Sequence, residues 1–400
     1  MSFQETQLQP DSKIGSGGVR RFVLNGQKMV ITQITTFCPD VIGPGPVHLY
    51  LIESDALVLL DAGLPTDLAK SFFYYWRNQP MPREVEELEP DFSERQFNMG
   101  LKLAGYDYSD IDLLVISHGH PDHFLLAHSV LSRSKASVSA HVMDTPTICN
   151  PWGLLNGWFS RQQQMAATGM PEPWSGRESV RAQLLQGLDL ESMNLAIRVN
   201  APFLTSGPVK IDGIPVKLLE VRHLPGHSAG SIGLIAGEGN ARVLMCGDVL
   251  LNPITPHPDD LLVYLRTLEE LSQAGDTFLV LPAHGEPVRS LSARVSFLQE
   301  HHRRRLKLTY EALTSPKRVW DIATMGGYFD TYVDPDRFNP MAGMEVIAHI
   351  ELLKMVEAVR RTEIRDQVHY FQNSTESFEK VYCRVMELVK MKPTTAIMRY

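Results

Sequence analysis

The stretch VISHGHPDHF, residues 115–124, decides how this chain is read. It puts His118, His120, Asp122 and His123 within six positions. The LLVI that leads into it is an unbroken apolar run, the pattern of a strand covered on both faces. Gly119 and Pro121 shape a turn that can aim alternate side chains at one point. Imidazoles crowded at a strand end repel one another when protonated, and need costly hydrogen-bond partners when neutral. A divalent cation removes both problems, and imidazole and carboxylate are side chains that hold one. Four ligands this close cannot all reach one tetrahedral ion, but two ions can share them if further ligands come from elsewhere.

The chain offers three such groups, each at the end of an expected strand. His227 lies in LPGHSAGS after VKLLEV (216–221), Asp248 in CGD after the strand 242–246, and His284 in PAHG after TFLVL (277–281). Strand ends along one edge of a sheet converge in space, which is where α/β sheets place their sites. His223 stands four residues before His227 and is a candidate to orient a ligand. The remaining histidines, His48, His128, His141, His257, His301, His302, His349 and His369, lack partners at ligand spacing and read as structural.

In this order and context the residues resemble the metallo-beta-lactamase superfamily, whose pattern is HxHxDH, then His, Asp and His. The resemblance runs over about residues 29–290 and takes in the upstream VLLDAG with Asp61. It implies an α/β fold, an αββα sandwich with a two-metal centre on one edge. His118, His120 and His227 would hold the first metal, Asp122, His123 and His284 the second, and Asp248 would bridge them. Asp61 would steady the first histidine loop. Zinc is the expected metal, as it takes N and O ligands and needs no redox partner, with iron or manganese left open. The superfamily's oxygen-reducing diiron branch has a carboxylate where this chain has His120, and carries a flavin domain with no counterpart here. A hydrolytic centre is therefore expected. Two ions can share a hydroxide as nucleophile, one polarises the substrate oxygen, and Asp122 or Asp248 takes or relays the proton. A serine mechanism is disfavoured, because the His227 that directly precedes Ser228 in GHSAGS is needed there as a metal ligand.

Outward from the site, MVITQITTF (29–37), VHLYLI (47–52), ALVLLDAG (56–63) and SIGLIAG (231–237) read as further strands. Thr66 reads as an N-cap before DLAKSFFYYWRN, SERQFNMGLKLAG (93–105) as a helix with a glycine stop, and DDLLVYLRTLEELSQAG (259–275) as a helix that Gly275 caps. Residues 1–290 are expected to form the catalytic domain, interrupted at 150–200 by a helical insertion with three tryptophans. The insertion reads either as a packed subdomain or as a cap that turns Trp152, Trp158 and Phe159 towards substrate. From 291 to 400 the composition becomes helical. RVSFLQEHHRRRLKLTYEAL, KRVWDIATMG, MAGMEVIAHIELLKMVEAVRR (341–361) and the strand-like TEIRDQVHYF (362–371) follow the order of a winged-helix-like module, with a last amphipathic helix at 377–391. HHRRRL and EVIAHIELL resemble the helical tail of one group of the superfamily, some of which cleave RNA while others are grouped with glyoxalase II-like thioesterases. The glutathione-contacting basic residues of true glyoxalase II have no clear equivalent.

The 400 residues exceed what one core usually organises. The balance of 38 basic to 46 acidic side chains, net -8, gives no support to nucleic-acid binding over the whole surface. Four cysteines without a CxxC pair, a polar N-terminus without a signal-like apolar run, and no membrane span point to a cytoplasmic protein. Three functions compete. The favoured one is a metal-dependent hydrolase of a small-molecule ester, thioester or lactone. The second is an endoribonuclease or phosphodiesterase that uses the C-terminal module and HHRRRLK to hold nucleic acid. The third is a non-catalytic module, disfavoured because all seven ligands are present. The C-terminal helices could also bury apolar faces in a homodimer.

Overall fold

The computed structural model describes residues 3–39, 45–70, 81–151, 168–171, 196–336 and 339–391. The described residues form two compact units, one drawn from positions 1–155, 176–256 and 275–291, the other from 156–175, 257–274 and 292–400.

The first unit is built on two sheets. The larger runs in sequence order through β1 (Phe3–Gln9), β2 (Val19–Leu24), β3 (Val30–Thr36), β4 (Val47–Glu53), β5 (Leu57–Leu60), β6 (Leu113–Val115) and β7 (Ser137–Ser139). Neighbours are antiparallel as far as β5, after which β5, β6 and β7 are parallel. The smaller sheet has the order β12-β11-β10-β9-β8, from β8 (Gly207–Ile211), β9 (Ile214–His223), β10 (Ile232–Ala236), β11 (Val243–Met245) and β12 (Leu279–Leu281). Only β11 and β12 pair in parallel within it.

Side chains of both sheets meet in one core. Phe22, Ile31, Tyr50, Ile52 and Val115 come from the larger sheet, and Val221, Leu234, Met245 and Leu281 from the smaller. Each such apolar side chain stabilises the fold by roughly 1.5–3 kcal/mol when fully buried. The other face of the larger sheet is covered as well. Helix α1 (Phe92–Ala104) packs on β3, so closely that a Cβ on Gly100 would lie 2.5 Å from Ile34. This double cover explains why β4 and β5 read as continuous apolar runs rather than alternating ones. Sheet on sheet with helical cover is the αββα plan expected from the sequence.

The strands named from the sequence form, but β1, β2, β7 and β8 were not among them. FQETQLQ is an edge strand whose residues are mostly exposed, so it carries no apolar alternation to read. Thr66 is not the N-cap. It lies inside the first turn, Ala69 N–H bonds to the Pro65 carbonyl, and the Thr66 hydroxyl accepts from Ser93 N–H at 3.0 Å. Gly105 does end α1, in the left-handed conformation. Trp152, Trp158 and Phe159 lie outside the described residues.

The second unit contains α3 (Leu261–Ser272), α4 (Leu291–Ala312, from residue 292 on), α5 (Val319–Ala323), α6 (Pro340–Met355), the hairpin β13 (Val359–Ile364) and β14 (Gln367–Gln372), and α7 (Phe378–Lys390); α2 (Pro121–Phe124) belongs to the first. Asp260 caps α3 by accepting from Val263 N–H. Two residues beyond its C-cap, Gln273, comes Gly275 at positive φ. The long helix expected over 341–361 stops at Met355, because Glu357 takes a left-handed φ and Val359 opens the hairpin. α6 packs against α3, α5, α7 and β13. No helix among the described residues is long and apolar enough to cross a membrane.

Candidate metal centre

Val115, Met245 and Leu281 end β6, β11 and β12, and His118, Asp248 and His284 each follow three positions later. His227 follows the end of β9 by four. The parallel pairs make these C-terminal strand ends point the same way, so loops from both sheets meet along one edge. Ile232 N–H bonds to the Ser117 carbonyl and ties the edges together at the site. The turn before Asp248 needs a glycine. Gly247 has φ 52°, and a Cβ there would come within 2.8 Å of Ser117 Oγ.

All seven candidate ligands are drawn to this place, in two groups: His118, His120, His227 and Asp248, and Asp122, His123 and His284. In the first group, His118 Nε2 lies 2.9 Å from His120 Nδ1, and His227 Nε2 lies 3.2 and 3.0 Å from those two atoms. Nitrogen ligands on a tetrahedral zinc would sit about 3.3 Å apart, so this spacing suits a shared ion. In the second group, Asp122 carboxylate oxygens lie 3.6 Å from His123 Nε2 and 3.3 Å from His284 Nε2. Asp248 faces both, with Oδ2 3.6 Å from His227 Nε2 and Oδ1 3.6 Å from both His123 Nε2 and His284 Nε2.

The surrounding hydrogen bonds fix which nitrogen is free. His123 Nδ1 donates to Asp61 Oδ2 at 2.8 Å, and His284 Nδ1 faces the carbonyls of Gly45 and Pro46 at 3.0 Å. Their Nε2 atoms, and Asp248 Oδ1, are buried without a hydrogen-bond partner. Buried polar atoms are rarely left so, and inward-turned lone pairs are what a cation takes. Asp61, held at φ 63° directly after β5, also accepts from Ser117 N–H and Ser117 Oγ, both at 2.7 Å. Ser117 Oγ is in turn 3.0 Å from His118 Nδ1, so one carboxylate orients two candidate ligands.

Electrostatics divide the histidines. Burial and then the neighbouring imidazoles hold His118 well below the usual histidine pKa, leaving its ring neutral. Burial also opposes charge on His123, but Asp122, Asp61 and Asp248 outweigh it and raise its pKa well above the ordinary value. His284 is raised against burial by Asp248 and Asp122. Burial pushes against ionised Asp122 and Asp248 too, yet the histidines bring Asp122 to about 2 and Asp248 well below its usual range. The pocket therefore attracts positive charge.

Residues beyond the motif hold this geometry. Asp144, after β7, accepts from Gly119 N–H, Gly230 N–H and Ser228 Oγ, and so joins the His118–His123 loop to the His227 loop. A side chain at Gly230 would meet it, since a Cβ would lie 2.6 Å from Asp144 Cγ. His48 is hydrogen-bonded to the Gly285 carbonyl at 2.8 Å, beneath the His284 loop. A solitary aspartate or histidine far from the motif gives no sequence signal for such roles. His223 contacts the Ala229 carbonyl through Nε2 and stacks on His141, with ring centroids 3.8 Å apart.

The sandwich and the ligand-lined edge define a class. The Metallo-beta-lactamase superfamily model matches residues 42–284, more than half of the chain, and the protein belongs to that superfamily. Among curated sequences it is 26% identical over 336 residues to the probable metallo-hydrolase YqjP of Bacillus subtilis, an alignment spanning 80% of this chain and 92% of that one. Solved structures share its fold. A metallo-beta-lactamase family protein from Thermus thermophilus has a TM-score of 0.63 at 20% identity, covering 86% of this chain and 98% of its own. A beta-lactamase domain protein from Burkholderia ambifaria has a TM-score of 0.63 at 19% identity, covering 90% and 95%.

Proposed function

We propose that the protein is a hydrolase with a two-metal centre that cleaves an ester, thioester or lactone of a small molecule. The observation that carries this reading is the set of buried, unpartnered atoms, His123 Nε2, His284 Nε2 and Asp248 Oδ1, turned toward one another at a strand-end edge. His118, His120 and His227 would hold one ion, and Asp122, His123 and His284 the other, with Asp248 between them. Ions bound there would bring the pKa of a water towards about 7 and polarise the carbonyl or phosphoryl oxygen of the substrate. The protein's own part is to orient and to handle protons. Asp61 and Ser117 keep His123 and His118 in one tautomer, and Asp122 and Asp248 are ionised acceptors for the proton of the attacking water. Nitrogen and oxygen donors without a redox partner favour zinc, while iron and manganese accept the same set. The name of the Bacillus relative points to the same chemistry.

The nucleic-acid alternative rests chiefly on the basic run HHRRRLK. Arg303 pairs with Glu379 and Glu300, Arg304 with Asp330 and Lys307 with Glu311, while Arg305 is buried over Tyr328 and Phe329. Acidic side chains of the same unit thus offset part of the positive charge of HHRRRLK that phosphates would meet. The test is a panel of thioesters, lactones, phosphodiesters and single-stranded RNA, assayed before chelation, after it, and after zinc is restored. Chelator-sensitive turnover of an acyl substrate is expected. Cleavage of RNA alone, steeply dependent on salt, would overturn the proposal.

A further inference from the structure

The second unit holds another convergence of histidines and a carboxylate, whose spacing along the chain gives no reason to group them. His301 and His302 lie on α4, Glu345 and His349 on α6, and His257 just before α3. One ligand atom from each of His301, His302 and Glu345 lies within 4.8 Å of the others. Glu345 is the centre of the group. Its Oε2 is 3.1 Å from His257 Nδ1, and its Oε1 is 3.7 Å from His301 Nε2 and 3.8 Å from His349 Nδ1.

Hydrogen bonding leaves this group incomplete. Glu345 Oε1 and His302 Nε2 are buried and have no partner. His349 Nδ1 donates to the Glu345 carbonyl at 2.6 Å, so its Nε2 carries the lone pair that faces His302 Nδ1 at 3.2 Å. His302 Nδ1 must then carry the hydrogen, and its own lone pair sits on the unpartnered Nε2. A histidine whose second nitrogen is fixed by a neighbour is the usual form of a metal-bound imidazole.

We propose that His301, His302 and Glu345 form a second, mononuclear metal site of the zinc class, separate from the sheet-edge centre, with His257 placed to complete its shell. Two nitrogens and a carboxylate oxygen are a donor set such ions take. The ion would join α4 to α6 and to the segment before α3, a structural role in which metal binding adds directly to folding free energy. Next to the group, His257 lines a cleft of about 460 Å³ together with Met344 and Ala348. This inference does not depend on the function proposed for the sheet edge.

The test is zinc stoichiometry on the full-length protein, stripped with chelator, reloaded with Zn²⁺ alone, desalted and measured by mass spectrometry. His301→Ala, at a partly exposed position, is expected to carry about one zinc fewer per chain than the wild type. Glu345→Gln is expected to do the same. A complementary variant, His120→Ala with His227→Ala and His284→Ala, strips ligands from both groups at the sheet edge. It should still bind about one Co²⁺ per chain, with the intense visible absorption of tetrahedral coordination, and should unfold at a higher temperature once loaded. Equal zinc content in wild type and His301→Ala would overturn the proposal, as would a sheet-edge variant that folds but binds no Co²⁺. If Glu345→Gln does not fold, His301→Ala and the Co²⁺ measurement still decide the matter.

Discussion

Two histidine–carboxylate clusters in one chain are built in opposite ways. At the sheet edge the ligands come from separate loops, each anchored by a strand that ends in the core, and three aspartates, Asp61, Asp122 and Asp248, face the rings. In the helical unit the side chains project from two helices and a connecting segment around a single carboxylate, Glu345. The charge balance follows. Aspartates outweigh burial and raise His123 and His284, whereas burial prevails at His302 and His349. The first cluster is a carboxylate-rich field suited to concentrating cationic charge for chemistry. The second gathers imidazoles around one buried carboxylate, an arrangement suited to holding one ion in place.

The largest test of this contrast is Asp248→Ala. Because Asp248 faces both groups at the sheet edge, its loss should remove metal there and lower kcat/KM by roughly three orders of magnitude or more, while the zinc of the helical unit remains. Metal analysis alongside kinetics checks this, and full activity would refute the bridging role.

The second test uses pH and the anchor beneath the His284 loop. Buried His48 has its pKa lowered to about 4, chiefly by desolvation. The unfolded chain therefore takes up a proton below about pH 6.5 that the folded state refuses until about pH 4, so stability should fall as pH drops through that window. The shift corresponds to at most about 3 kcal/mol. Urea unfolding across pH should show this acid loss in the wild type and a shallower one in His48→Gln; identical slopes would remove His48 from the account.

A smaller effect is expected from Asp61→Asn, which keeps the shape but not the charge that orients His123 and Ser117. Zinc affinity at the sheet edge should weaken by about 10- to 100-fold, measured by competition with a chelating dye. The smallest is Asp144→Asn. It leaves the ligands intact but weakens the clasp on Gly119, Gly230 and Ser228, and should cost about 1–2 kcal/mol in denaturant unfolding.

What could be read in advance follows the same division. The candidate ligands of the sheet edge could be named from the sequence because four of them are adjacent in it and the others sit directly after apolar runs that only covered strands tolerate. Asp144, Ser117 and His48 were not, since their partners lie elsewhere in the chain and meet them only once the sheets have formed. The helical cluster was hidden for the same reason. His301, His302 and His349, taken singly, look like ordinary residues on helix faces, and what groups them is packing between α4 and α6 rather than spacing. β1 escaped notice because an exposed edge strand needs no apolar pattern, and the end of α6 because the left-handed turn falls on Glu357, a residue with no bias towards it.

The ligands of the sheet-edge centre come from both leaves of the sandwich, His118 to His123 from one, and His227, Asp248 and His284 from the other. Ions shared between them would act as rivets, so the leaves could not part without ejecting the cargo. Resistance to proteases would then report how fully the protein is loaded.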